Sequence, residues 1–372
     1  MRDFLSLFIF CVSLSCAVQA QTDSISRLSM LFVGDIMGHG DQIKSAEISK
    51  GVYDYTPCFE WVAPLLQDAD LAIGNLELTL PGKPPYSGYP QFKSPDELAI
   101  ALRDAGFDIL VTANNHSNDA KGAGVISTIN TLEQYGFYQT GTFRNQQEKD
   151  AYYPLIVYRG NFKFVLLNYT YGTNGIPTEA PTVVNLIAPD SIQRDIQLAR
   201  VFQPDAVIVV LHWGDEYQLI ENEAQRQLAQ NIADWGADLI IGAHPHVVQP
   251  IKILQAQRDS LVQDVPVAFS LGNFISNQKQ PHTDGGLMVE VVWTKPVHGG
   301  KAVPTLQYLP VWRYIEEKDG RKTYRVVPVA AFESNPEAYP LPEIQQAALQ
   351  RFAKNVRERL NAAGAVEKIS TY

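Results

Sequence analysis

Potential metal donors and acid–base groups fall in short clusters separated by long intervals: Gly34-Asp35, Asn75-Leu76-Glu77, Asn114-Asn115-His116, His212-Trp213-Gly214 and Gly242-Ala243-His244-Pro245-His246. Carboxylates, an amide oxygen and neutral imidazoles form a mixed N/O donor set that suits borderline divalent metals such as Mn, Zn or Fe. His244-Pro245-His246 is the sharpest cluster, because the intervening proline stiffens the chain and lets both rings face one centre. Each cluster alone has an ordinary reading. Gly-Asp after a strand is most often a turn or cap, Asn-Asn-His reads as a turn with a surface histidine, and His212 reads equally as a core histidine. Five of them in succession make a candidate site.

Each cluster follows an apolar run of strand type: Met30–Val33, Leu71–Leu76, Ile109–Thr112, Ala206–Leu211 and Leu239–Gly242. Phe59–Gln67, Pro95–Ala105, Gly122–Tyr135 and Glu221–Trp235 read as helices between them. Ser94 before Pro95 is expected to start its helix, and Gly106 and Gly236 to close theirs. The alternation predicts a layered α/β fold. Open α/β sheets bind ligands outside the carboxyl ends of their strands, so the five clusters are expected to share one rim. Beyond about residue 263 the pattern changes. Val267–Ser270, Leu287–Trp293, Val303–Tyr308 and Tyr324–Val329 read as strands, and Pro342–Leu360 as a closing helix. With no repeat and no clear linker, residues 21–372 are expected to form a single domain with a β-rich C-terminal half. The segment Pro81–Pro95, with five Pro, two Tyr and two Lys, is either a proline-stiffened connection or a substrate-facing lip.

Composition narrows the function. In 372 residues, 30 Lys plus Arg stand against 40 Asp plus Glu, a net charge of −10. Without a basic run, nucleic-acid binding is excluded as the main role, because phosphate contacts need clustered cations. A bound metal would reverse the sign locally. Met1-Arg2-Asp3, the apolar run Phe4 to Val18 and the small residue at Ala20 read as an export signal over residues 1–20. A retained anchor is the alternative, and a lipoprotein at Cys16 is disfavoured by Ser13, where an apolar residue is usual. No later segment is apolar enough to span a bilayer. Beyond that signal only Cys58 remains of the three cysteines, so an internal disulfide and a cysteine zinc site are excluded, and Cys58 reads as a packing residue.

The clusters also carry a family resemblance. Gly34-Asp35-Ile36-Met37, Gly74-Asn75-Leu76-Glu77, Ala113 to Asp119, His212-Trp213-Gly214-Asp215-Glu216-Tyr217, His244 to Pro250 and Ser270-Leu271-Gly272-Asn273-Phe274 resemble the motifs of the CapA family. That family comprises the poly-γ-glutamate capsule-synthesis proteins within the calcineurin-like metallophosphoesterase superfamily. The resemblance runs in family order over residues 28–275 and is loose beyond them. It implies a four-layer α/β/β/α sandwich with a site at the sheet rim. Position by position, it implies metal ligands at Asp35, Glu77, Asn115, His212, His244 and His246. Glu77 would bridge where phosphoesterases usually place Asp. His116 would be the general acid and Asp119 the carboxylate that holds its tautomer. Two departures stand out: Met37 occupies the place of a ligand histidine, with His39 as a candidate substitute, and Ala243 occupies the place of a frequent histidine.

The resemblance implies an exported, periplasmic or extracellular protein of surface-polymer metabolism, a hydrolase using water activated by one or two divalent metals. Its substrate would be a phosphoester or an anionic surface polymer such as poly-γ-glutamate, with capsule synthase subunits as possible partners. Two other readings stay open: a metal-free scaffold or export factor of a capsule-polymer machine, and a metal-independent acid–base enzyme using His116, Glu77 and Asp35. Tyr86, Tyr89 and Tyr217 are candidate substrate contacts, though each reads more readily as a packing or surface aromatic.

Overall fold

The computed structural model describes residues 24–258 and 261–368. The expected export signal, with Cys16, lies outside them. Two sheets face each other. The first runs in the order Arg321–Pro328, Val303–Lys318, Gly285–Pro296, Ile25–Ile36, Leu71–Leu76, Ile109–Val111 and Tyr138–Thr140, with Asn273–Ile275 paired alongside Ile25–Ile36. Its central strands are parallel, and the C-terminal hairpins extend it antiparallel. The second runs Ile251–Arg258, Leu261–Ala268, Leu239–Ala243, Ala206–His212, Phe162–Thr170 and Leu155–Arg159.

The side-chain alternation of a strand explains the layering. In Ala206–His212 every residue is buried, as a parallel strand covered on both faces requires. Ala206, Ile208 and Val210 enter the core between the sheets, while Val207, Val209 and Leu211 face the opposite way, toward Ile192, Ile196 and Ile232. Those three belong to the helices Pro189–Val201 and Glu223–Trp235. The first sheet repeats the pattern. Leu28, Met30 and Phe32 join the inter-sheet core, and Leu31 and Val33 meet Leu66, Leu98 and Leu102 from the helices Ala63–Asp68 and Glu97–Ala105. The result is the expected α/β/β/α sandwich. The helix Glu343–Asn361 closes one side of the inter-sheet core with Leu349, Phe352 and Val356 beside Tyr308 and Trp312.

Several local expectations need correction. The helix expected at Phe59–Gln67 is split into Thr56–Phe59 and Ala63–Asp68. Ser94 caps nothing. Its N–H bonds Thr79 O, its buried hydroxyl has no partner, and the helix begins only at Glu97. The helix expected from Glu221 begins at Glu223, because Asn222 accepts from Gln225 N and Gln225 reaches back in a capping box. Gly106 and Gly236 close their helices as expected, at φ 113° and 127°. The strand Phe162–Thr170, next to the edge of the second sheet, was not among the strand candidates. Cys58 is buried, and burial pushes its thiol pKa up to about 12, which suits packing and not nucleophilic attack. No described helix is long and apolar enough to cross a membrane.

Candidate metal centre

The parallel strands deliver their carboxyl ends to one rim. Asp35 lies in register with Asn75 on one side and Asn273 on the other. His212 ends its strand opposite Ala243. Two motif glycines are there for clearance: a Cβ on Gly34 would lie 1.9 Å from Gly272 O, and one on Gly242 would lie 1.9 Å from Phe269 O. Gly272 O in turn accepts from Asp35 N at 3.0 Å, so the close approach fixes the carboxylate's strand. Gly34→Ala is expected to lower stability by about 1–3 kcal/mol, the usual cost of overpacking. Thermal unfolding with an unchanged midpoint would contradict that account.

All six expected ligands are buried. Three groups of donor atoms form, each with its members within 4.8 Å of one another: Glu77, His212 and His244; Asp35, Glu77 and His246; and Glu216, His244 and His246. Asn115 joins the first group, its Oδ1 lying 2.9 Å from His212 Nε2. Glu77 sits in two groups, with its Oε1 3.7 Å from both His212 Nε2 and His246 Nε2. Asp35 is already engaged. Its Oδ1 accepts from Asn75 Nδ2 at 2.8 Å, and its Oδ2 lies 3.0 Å from His246 Nδ1.

The electrostatics call for positive charge. Glu77 is fully buried and neither of its oxygens has a hydrogen-bond partner. Burial first, and the neighbouring Asp35 second, push its pKa well above the usual carboxylate range. His244 Nδ1 is likewise buried without a partner. Burial, helped by the neighbouring imidazoles, holds His212 well below the ordinary histidine pKa and lowers His244 to about 3. Neutral imidazoles facing an uncompensated carboxylate are the donor state a divalent cation requires. The residues fit a metal.

His116 stands beside this cluster and outside the three donor groups. Its Nδ1 lies 2.7 Å from Asp119 Oδ2, an oxygen that also accepts from Phe92 N at 2.6 Å. Its other nitrogen, Nε2, is 3.5 Å from Asn174 Nδ2. The ring meets Phe92 edge-on at 4.5 Å. An open groove of about 460 Å³ adjoins, lined among others by Met37, Tyr89, Phe92, His116, Tyr217 and His246. The Pro81–Pro95 segment therefore contributes a wall of the groove. Tyr86 instead packs edge-on against Tyr53. His39 also borders the groove, but its Nδ1 accepts from Asn277 N at 3.2 Å and lies 3.0 Å from Gln42 Oε1. It joins none of the donor groups found among the described residues, so it is no substitute for the histidine that Met37 replaces.

Five residues of the centre were not singled out from sequence. Asn75 bridges Asp35 and His212, Asn273 Oδ1 lies 3.2 Å from His246 Nδ1, and Glu216 enters the third donor group. All three lay inside the quoted motifs, Asn75 two residues before Glu77 and Glu216 four after His212, whereas the motif of Asn273 held no chosen ligand. Tyr171 packs on His244 at 4.6 Å, and Asn174 lies between Asn115 and His116. Both follow the unrecognised strand Phe162–Thr170, and recognising its end as a sixth rim position would have found them.

The family model described as bacterial capsule synthesis protein PGA_cap matches residues 29–278. Capsule biosynthesis protein CapA of Bacillus anthracis is 29% identical over 275 residues, which is 71% of this chain and 63% of that protein. The chain thus spans less than two thirds of that relative. PGA biosynthesis protein CapA of Bacillus subtilis (strain 168) is 25% identical over 93% of this chain and 84% of that protein. Among solved structures, the Haemophilus influenzae NAD nucleotidase NadN aligns with a TM-score of 0.47 at 11% identity, over 89% of this chain and 63% of that one. The 5'-nucleotidase from Candida albicans SC5314 aligns with a TM-score of 0.41 at 12% identity, over 90% and 58%.

Proposed function

We propose, for a chain that belongs to the bacterial capsule synthesis protein family PGA_cap, an exported metal-dependent hydrolase acting on a phosphoester or γ-glutamyl amide bond of a surface polymer. One observation carries the reading: a fully buried Glu77 carboxylate with no hydrogen-bond partner, grouped with His212, His244 and His246. Burial, and then Asp35, push that group's pKa up, and a cation would offset the cost of its ionised form. Glu77, Asn115, His212 and His244 would hold one divalent metal, and Glu77, Asp35 and His246 a second. Such a metal supplies Lewis-acid chemistry, polarising a substrate oxygen and lowering water's pKa from about 15.7 toward about 7.

The chain's own residues do the rest. Asp119 fixes the orientation of His116 and balances the charge on its imidazolium. His116 then donates a proton from Nε2 to the leaving group. Tyr89 and Tyr217 line the groove and offer aromatic faces to a bound chain.

Metal content by mass spectrometry, with hydrolysis of p-nitrophenyl phosphate and of γ-glutamyl oligomers, tests the proposal. Bound metal is expected, with hydrolysis lost to chelator and restored by adding metal back. A metal-free protein inert on every substrate would overturn it and favour the scaffold reading, which has Met37 on its side: buried and apolar where a ligand is expected. Activity that survives chelator would instead favour metal-independent acid–base chemistry. Export predicts a mature N-terminus at Gln21 in protein recovered from the producing cells, read by N-terminal sequencing.

A further inference from the structure

The loss of a ligand histidine at Met37 leaves the outer cation position short of a donor. We propose that Glu216 supplies that donor, and that Asp35, besides its place in the donor set, orients His246. The inference rests on the metal-dependent reading above.

The two nitrogens of His246 face different partners. Nδ1 lies 3.0 Å from Asp35 Oδ2 and 3.2 Å from Asn273 Oδ1. An N–H there finds two acceptors, which leaves Nε2 with its lone pair. Nε2 lies 3.7 Å from Glu77 Oε1 and 3.8 Å from Glu216 Oε1. The group that contains Glu216 is completed by His244 and His246, whose donor atoms all lie within 4.8 Å of one another, a mixed carboxylate–imidazole set of the kind that holds a divalent ion. A carboxylate behind a ligand histidine is a recurrent arrangement that fixes the ring's tautomer, and Asp35 stands in that position.

Glu216 is held there by its backbone. Tyr217 N donates to Pro245 O at 2.8 Å, which ties the segment to the turn between His244 and His246. At the segment's start, Trp213 Nε1 donates to Phe269 O at 2.9 Å. Gly214 adopts φ 87°, and a Cβ there would fall 2.6 Å from the Gln225 amide carbon, so only glycine passes. Asp215 points elsewhere, accepting from Asn222 Nδ2 at 2.7 Å. The Glu216 side chain remains 43% exposed, so the outer cation would face the groove and the inner one the protein.

Mn(II) binding to the full chain, followed by isothermal titration and by metal counting after dialysis, tests this. The wild type is expected to take two ions of unequal affinity. Glu216→Gln is expected to keep the tighter ion and to bind the weaker at least about 10–100-fold less well, the penalty already seen for residues one shell further out. Asp215→Asn serves as the control and is expected to keep both. Wild-type protein that binds two ions while Glu216→Gln binds both unchanged would overturn the assignment of Glu216 alone. Loss of both ions in Glu216→Gln would also overturn it, since the positions would not be separable. Wild-type protein that binds no ion would overturn the underlying metal-dependent reading.

Discussion

Glu77→Gln is expected to abolish both metal binding and hydrolysis while raising the thermal midpoint of the metal-free protein. The two effects have one cause. Glu77 shares two donor groups, so its charge would serve both cations, and a neutral amide of the same shape cannot replace it. Metal affinity should fall by well over about 100-fold, beyond the 10–100-fold cost of losing an outer-shell partner. In the apoprotein the same group is a liability, because burial first and the neighbouring Asp35 second make its ionised form costly. Removing an unsatisfied buried group of this kind is worth about 1–3 kcal/mol. Calorimetry in the presence of chelator should therefore show the variant melting above wild type, and calorimetry with saturating metal should show the reverse order, because only wild type gains binding energy. A variant less stable than wild type under both conditions would mean that Glu77 has structural partners and is no cation ligand.

The rim was legible because parallel strands buried on both faces read as uninterrupted apolar runs, and a polar residue at the end of such a run has nowhere to go except the sheet edge. Ala206–His212 and Leu239–Ala243 are examples, each buried at every position. Gly34 and Gly242 were visible as motif members, but their reason, a carbonyl 1.9 Å from any Cβ, belongs to a neighbouring strand far along the chain. What stayed hidden follows the same division. Phe162–Thr170 carries Lys163 near its start and Asn168 and Tyr169 near its end, which blurs the run that marks its neighbours. Asn174 and Glu216 sit on irregular segments with no period to expose their direction. Glu216 is aimed by Tyr217 N bonding Pro245 O, a long-range contact that nothing local announces. Ser94 failed as a cap because the helix starts later, at Glu97, with Asp96 in the cap position.

His116→Ala is expected to retain both metal ions and to lose about 10²–10⁴-fold in kcat, the range of a positioned general acid. The separation from Glu77 is geometric. His116 belongs to none of the metal donor groups, and its Nδ1 is taken by Asp119, so Nε2, 3.5 Å from Asn174 Nδ2, is the nitrogen that can act toward the groove. Asp119→Asn should also lower kcat, because an amide does not balance an imidazolium. It should change KM as well, because Asp119 Oδ2 also accepts from Phe92 N and so anchors the Tyr89–Phe92 wall. Since the pair works as a unit, the double variant should be little worse than His116→Ala alone. A substrate with a good leaving group such as p-nitrophenolate needs little protonation, so the His116→Ala deficit should shrink there and widen on an alkyl ester or amide. Equal deficits on both substrates, or metal loss in His116→Ala, would remove His116 from the role of proton donor.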